Sequence, residues 1–389
     1  MCRYAGGVVV TAAAPGLPQR VLLFGPPYGQ SIPDGAGGGT GGYTRNMEVY
    51  EHHLTSDEFE LIPLFHTVRG QDKGLKARFA VRFAIDFFRI VRALMRDRPD
   101  AVHCLARYHE ALPREALLAV LCRVFRKPFV YDIKAPLFID AYRTRGRVYR
   151  FLADRIISSA AAVLAEGALY LPFLKSQFGQ DGILFPNFVP DAEVPQTIVP
   201  RLTGDPLRVL FVGFCHPNKG VIEVFDGCRQ FAIQGGAVQL TIIGAETPEF
   251  IAHINSSSPI TGFVYRWLGR RPHNEVRAAL DTHDVFCLPS KSEGHSNAVN
   301  EAMMSGMVVA CSKVGLLEGA VEERGGYFIE DLSADGVAAT LATIRRDPSE
   351  ALRRGRFAQD KVRREYTASV ARSRITCVYR DILRKSRRK

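Results

Sequence analysis

Short apolar runs alternate with longer segments of helical period along most of this chain. From Arg20 the strand-like runs are "RVLLFG" (20–25), "FELIPLF" (59–65), "AVHCL" (101–105), "PFVYDI" (128–133), "AVLA" (162–165) and "ILFP" (183–186). Helical patterns fall between them, around 43–55, 75–97, 113–126 and 146–160. Runs that are apolar throughout, rather than alternating, suit strands covered on both faces, and strands separated by helices suit a parallel sheet. A proline-rich polar stretch, "NFVPDAEVPQTIVPRLTGDP" (187–206), breaks the period and reads as an interdomain linker. The pattern then restarts with "LRVLFVG" (207–213), "VQLTIIG" (238–244), "ITGFVYR" (260–266), "DVFCLP" (284–289), "MVVACS" (307–312) and "GYFIE" (326–330). The expected fold is therefore α/β with two doubly wound, Rossmann-like domains.

A length of 389 residues agrees with two domains. The expected divisions are a disordered leader (1–19), an N-terminal domain (20–195), a C-terminal domain (205–365) and a final helix with a basic tail (366–389). Residues 1–19 bear a faint likeness to a signal peptide, which a disordered leader explains more simply. The eight cysteines form no C-x-x-C pair and several sit in apolar runs, which fits small buried hydrophobes in a reducing, cytoplasmic setting. No apolar run reaches the roughly 18 residues of a membrane-spanning helix. The net charge of +11 points to an acidic partner. No helix-turn-helix, zinc-finger or RNP-like pattern accompanies it, so nucleic acid is not expected.

The segment "PSKSEGHSNAVNEAMMSG" (289–306) follows the run "HDVFCL" and sets Glu293 in a loop and Glu301 about one turn inside a short helix, with Ser296 or Asn297 as its N-cap. This is the layout of a ligand site at the carboxyl end of a parallel strand. The unpaired amides and positive end of the helix would suit a diphosphate. Gly294 lets the backbone pass close to a ligand. In "LFVGFCHPNKG" (210–220), Lys219 at a loop-to-helix junction would supply a point charge for the same anion. The glycine-rich loop "PDGAGGGTGGYTRN" (33–46), best matched by Gly41 and Gly42, would form an anion nest.

With "VQLTIIG" and "SGMVVACSKVGLLEGAVEERGGYFIE" (305–330), these segments resemble, in order, the signatures of retaining glycosyltransferases of family 4, which have the GT-B fold of two Rossmann-like domains facing a central cleft. "GGGTGGYTRNM" (37–47), "PDAVH" (99–103) and "FPNFV" (185–189) occupy matching places in the first half. The resemblance implies a nucleotide-sugar donor. Glu301 would accept hydrogen bonds from the ribose and Glu293 would reach the transferred sugar. Lys219 and the segment Gly294, His295, Ser296 and Asn297 would line the donor site. It implies front-side attack by an acceptor hydroxyl, with the leaving diphosphate helping to take its proton. No metal and no other cofactor are expected, and no D-x-D triplet occurs.

This chain departs from the family at two places. Phe214 stands where relatives commonly carry an arginine, leaving Asn218, Arg270 and Arg271 as substitute candidates for the phosphate clamp. Lys134 in "FVYDIKAP" (129–136), beside Asp132, stands nearest the place of a family histidine and is a catalytic candidate on that ground alone. His103 and "HEALPRE" (109–115) are further acceptor-side candidates. A catalytically degenerate protein that binds nucleotide-sugar or membrane without turnover, and a GT-B epimerase, are the competing readings. On the predicted helix at 76–97, Arg78, Arg82, Arg89, Arg92 and Arg96 fall within about 80° of one another, opposite Phe83, Phe87, Val91 and Leu94. With "YRTRGRVYR" (142–150) and "RKSRRK" (384–389), that stripe is a candidate contact with the anionic inner face of the cytoplasmic membrane, where a lipid-linked or glycan acceptor in polysaccharide or glycolipid assembly would be met.

Overall fold

In the computed structural model, which describes residues 17–28, 41–67, 76–107, 111–195, 202 and 204–388, the apolar runs become two parallel sheets. The chain divides into two units. The first holds the residues up to Ala165, Tyr170–Phe185 and the segment from Ala368 onward; the second holds Glu166–Leu169 and Pro186–Thr367. Among the described residues the first unit has six strands: β1 (Gln19–Gly25), β2 (Phe59–Phe65), β3 (Ala101–Ala106), β4 (Phe129–Ile133), β5 (Ala162–Ala165) and β6 (Ile183–Leu184). Their order is β2-β1-β3-β4-β5-β6. Val21 of β1 lies opposite both Leu61 and Ala101, so apolar residues meet across the strands at one level. The helices Gly41–Leu54, Lys76–Arg96, Leu112–Val124 and Arg147–Ser159 are those the periodicity anticipates.

The last helix, Ala368–Ser386, packs on the helix Gly41–Leu54 in this first unit. Tyr379 fixes it there: its ring lies 5.3 Å from that of Phe59, and its hydroxyl is 2.6 Å from His103 Nδ1. Arg372 adds a bond to the His53 carbonyl.

The second unit has β7 (Leu207–Val212), β8 (Val238–Ile243), β9 (Phe263–Trp267), β10 (Val285–Leu288), β11 (Val308–Ser312) and β12 (Tyr327–Ile329), in the order β12-β11-β10-β7-β8-β9. Counted from β7 as first strand, this is the 3-2-1-4-5-6 order of dinucleotide-binding sheets, reversing direction between β7 and β10. Those two strands pair only through Val285 with Val209 and Phe286 with Leu210, so they part early toward their carboxyl ends. Buried Asp284 fixes their amino ends. Its carboxylate accepts from the Arg208 amide at 2.9 Å and from that guanidinium at 2.8 and 3.1 Å. The core beneath the site includes fully buried Phe211, Phe225 and Phe286. The stretch read as a linker starts as part of this unit: Phe188 and Val189 are buried, and the Val189 amide donates to the Tyr366 carbonyl.

Candidate active site

Two loops leave the carboxyl ends of β7 and β10, the strands on either side of the reversal. The β7 loop closes in a single 3₁₀ turn, Pro217–Lys219, capped by His216 Nδ1, which accepts from the Asn218 amide at 3.1 Å. Gly220 then takes φ +73 and starts the helix Val221–Ile233. A side chain there would put Cβ 2.3 Å from the Pro289 carbonyl oxygen, so the bare backbone lets the two loops touch. The Asn218 carbonyl accepts from the Lys291 amide at 2.8 Å and from Ser290 Oγ at 3.1 Å.

That junction brings Lys219 to Glu293. Lys219 Nζ donates to Glu293 Oε1 at 2.6 Å, with the carboxylate side chain 9% exposed and the lysine 34% exposed. Glu293 is held from other directions as well. The loop after β11 crosses its backbone, where Gly315 takes φ +58 and a Cβ would stand 1.9 Å from the Glu293 carbonyl oxygen. Ser312 Oγ donates to the Ser290 carbonyl at 2.6 Å. Gly294 faces Glu166, whose Oε1 would lie 2.5 Å from a Cβ at 294. Lys219, Glu293 and Gly294 thus sit on a frame built by three loops and the carboxylate of Glu166.

Beyond Gly294 the chain is fixed by a buried amide network. Asn187 Nδ2 donates to the His295 carbonyl at 2.5 Å, and Asn300 Nδ2 lies 3.1 Å from the Asn187 carbonyl and 3.0 Å from His295 Nδ1. With Nδ1 accepting, the neutral imidazole carries its proton on Nε2. The ring stands edge-on to Tyr366 at 4.7 Å. Ser296 caps the helix Asn297–Met304 and makes no side-chain bond to its first turn. Glu301 is buried one turn on, its Oε1 4.0 Å from His273 Nδ1, while His273 Nε2 lies 3.3 Å from Glu193. Loop, helix and second glutamate are continuous in the chain and tied down by these contacts. With Lys219 they offer a lysine ammonium, two carboxylates and a helix N-terminus on one side of the sheet, groups suited to an anion carrying hydroxyls.

Comparison with known proteins shows what this frame resembles. A family model described as glycosyl transferases group 1 matches residues 206–347, the whole of this frame apart from Glu166, Asn187, Glu193 and Tyr366. That segment is similar to the glycosyl transferases group 1. The amylovoran biosynthesis glycosyltransferase AmsK of Erwinia amylovora is 27% identical to the chain over 363 residues, covering 83% of this chain and 87% of that protein. The sucrose-phosphate synthase of Thermosynechococcus elongatus superposes with a TM-score of 0.69 at 15% identity, over 94% of this chain and all of that one. Anabaena HepE in complex with UDP-glucose gives 0.67 at 15% identity, over 93% and 99%. The two six-stranded parallel sheets of this chain are thus those of the GT-B fold.

The other candidates distribute as follows. Gly41 and Gly42 open the helix Gly41–Leu54 in the first unit, and the glycine loop before them lies outside the described residues. Phe214 stacks on His216 with centroids 5.8 Å apart. Arg271 turns back on its own loop, donating to the Leu268 carbonyl and pairing with Glu275. Arg270 is exposed beside it, after β9 at the edge of the sheet.

Lys134 is buried. Its side chain is 1% exposed in the first unit, with Nζ 2.7 Å from the Phe185 carbonyl, 3.6 Å from Asp132 and over the rings of Tyr50 and Phe185. Asp132 in turn accepts from Tyr50 at 2.9 Å and lies 3.4 Å from His103 Nε2. These residues form a buried polar cluster that joins β3, β4 and the last helix. Glu115 is likewise buried, accepting from the Arg107 amide and the Tyr131 hydroxyl, and burial raises its pKa. Sequence reasoning did not single out Glu166, Asn187 or His273, which reach the frame from other segments, although Asn187 lies in the quoted "FPNFV".

Proposed function

We propose that the protein moves a sugar, with retention of configuration and without a metal, from a nucleotide-sugar to a hydroxyl of a glycan or lipid-linked acceptor in polysaccharide or glycolipid assembly. The observation that carries this reading is the contact between Lys219 and Glu293 at the strand reversal of the second unit. A nucleotide-sugar has a diphosphate between a ribose and a sugar, and the frame offers a group for each. The diphosphate meets Lys219 and the amides at the start of the helix Asn297–Met304, and Glu301 takes the ribose hydroxyls. Glu293 takes a hydroxyl of the sugar once the diphosphate draws Lys219 away. As the glycosidic bond to phosphate breaks, negative charge grows on the leaving oxygens. A fixed ammonium and helix dipole stabilise that charge more than they stabilise the ground state. The acceptor hydroxyl attacks from the same face and its proton passes to the leaving diphosphate, so no protein nucleophile takes part. The family match and the UDP-glucose held by HepE support the donor class, and AmsK's role in amylovoran biosynthesis supports the process.

Phe214 favours a second reading, binding without turnover, because the arginine common at that position in relatives would supply half of the phosphate clamp. A thermal-shift screen against UDP-, GDP-, ADP- and dTDP-sugars tests the donor site. At a hundred times its dissociation constant one class should stabilise the wild type by about 2.7 kcal/mol and leave Glu301→Ala unmoved. Transfer to an acceptor, with the product anomer read by NMR, then separates the readings: retained configuration supports the first, and stabilisation without transfer the second. No shift with any donor would overturn both.

A further inference from the structure

A helix that packs on a sheet by one face leaves the opposite face to water, and that face is normally polar. The helix Lys76–Arg96 breaks this rule. Its buried line is Asp86, Ile90, Ala93 and Leu94, while Val81 (59% exposed), Ile85 (40%), Phe88 (69%) and Met95 (62%) stand in solvent. At about 100° per residue these four fall on one line, with Arg89, Arg92 and Arg96 inside the same arc of about 120°. All three arginines are exposed.

The neighbouring helices continue the surface. The helix Leu112–Val124 packs against Lys76–Arg96 on one side and Arg147–Ser159 on the other. It exposes Val120, Val124 and Arg123. The helix Arg147–Ser159 exposes Val148 and Phe151 beside Arg147, Arg150 and Arg155, whose guanidinium lies over the Phe151 ring at 5.1 Å. The three helices contain three carboxylates, and each is turned to an internal partner. Asp86 pairs with Arg114 at 2.6 Å and accepts from Thr67; Glu115 is bound as described; Asp154 accepts from the Tyr142 hydroxyl at 2.8 Å. The face therefore shows solvent arginines and apolar side chains with no exposed carboxylate.

We propose that this three-helix face of the first unit lies on an anionic lipid bilayer, with Val81, Phe88, Met95 and Phe151 entering the headgroup boundary and the arginines among the lipid phosphates. Aliphatic side chains gain nothing from a nucleic-acid backbone, and a uniformly positive rim suits a uniformly negative plane better than the mixed charges of a protein surface. Each arginine near an anionic leaflet raises partitioning about fivefold. Among the described residues no helix is long and apolar enough to cross a membrane, so the contact is interfacial. The face lies in the first unit and is argued without the donor frame of the second.

Vesicle flotation of the full chain tests it, with phosphatidylcholine alone against phosphatidylcholine mixed with phosphatidylglycerol. Binding is expected to the mixed vesicles only. It should fall more than tenfold in the triple variant Arg89→Glu, Arg92→Glu, Arg96→Glu, and also in Phe88→Ser with Met95→Ser. A Phe88→Trp variant should blue-shift its emission on those vesicles, read against the sole native tryptophan, Trp267. Circular dichroism and the UDP thermal shift should be unchanged in these variants, which separates failure here from failure of the donor site. The proposal is overturned if wild type ignores anionic vesicles, if the Phe88→Ser, Met95→Ser variant binds them as wild type does, or if RNA competes fully and equally against both proteins.

Discussion

Replacing Glu293 by glutamine separates two roles that the carboxylate combines. In the unliganded protein its charge is matched by Lys219 at 2.6 Å, and a diphosphate arriving at that lysine meets the carboxylate as a competitor and a like charge. Glutamine keeps the shape and removes the repulsion. The lysine is one-third exposed, so the pair is partly screened and the gain for the bare nucleoside diphosphate of whichever donor responds is about 1 kcal/mol, roughly fivefold tighter binding. The sugar moves the other way. A hydrogen bond to a charged acceptor is worth about 1.5–3 kcal/mol, so the nucleotide-sugar should lose about ten- to a hundredfold against that gain. The ratio of the two dissociation constants, measured by calorimetry on wild type and Glu293→Gln, carries the test. Raising the salt should shrink the nucleoside diphosphate's gain and leave the sugar penalty in place. Lys219→Ala should weaken both ligands together. If Glu293→Gln weakens the nucleoside diphosphate as much as the nucleotide-sugar, the carboxylate only organises the loop and its assignment to the sugar fails.

Gly220→Ala and Gly235→Ala share left-handed backbone, φ +73 and +92, but only the first Cβ meets an obstacle, the Pro289 carbonyl. Each should lose about 1–2 kcal/mol to backbone strain, whereas only Gly220→Ala should lower Tm further and abolish binding of the donor found in the screen; equal losses in a calorimetric scan would show that the loop junction does not matter. His66 is buried beside Phe24, and burial first and the Arg114 cation second depress its imidazole to about 3. The unfolded chain therefore binds a proton that the folded one refuses. Stability present above about pH 6.5 should drain away toward pH 3, by up to about 1.4 kcal/mol per pH unit. His66→Gln should flatten that limb of a Tm-against-pH curve, and an unchanged slope would refute the assignment.

The placement of the frame around Glu293 was legible because its residues are local. Glu293, Gly294, Ser296 and Glu301 lie within a few residues on one loop and helix, and Lys219 sits on the loop beyond the adjacent strand, so spacing and strand ends place them. The supports of that frame were not legible. Glu166 lies after β5, Asn187 in a stretch whose prolines read as a linker, and Gly315 beyond β11; only the tertiary fold brings them to Glu293 and His295. Proline content gives the local backbone preference at 187–206, but says nothing about Phe188 and Val189 finding a core to enter.

The first unit shows the limit from the other side. A sequence position can nominate Lys134, but whether an ammonium faces solvent depends on Phe185, Tyr50 and Tyr379, from three distant segments. Here Phe185 and Tyr50 close over it, and Tyr379 holds His103 beside Asp132. The arginine-bearing helix errs by degree. Its period correctly turned Phe83, Phe87, Val91 and Leu94 away from the arginines, yet period alone does not set the width of the buried arc. The sheet and the helix Leu112–Val124 cover only part of the apolar surface, so the row Val81, Ile85, Phe88 and Met95 is left on the arginine side. A helix carrying two apolar rows on a surface that buries one stands in water at a cost of about 1.5–3 kcal/mol for each large side chain not removed from it. Adding the exposed valines and Phe151 on the two adjacent helices multiplies that cost along a single face. The physical reason to expect a partner there is thus the area left uncovered, and the reason to expect lipid is the charge around it.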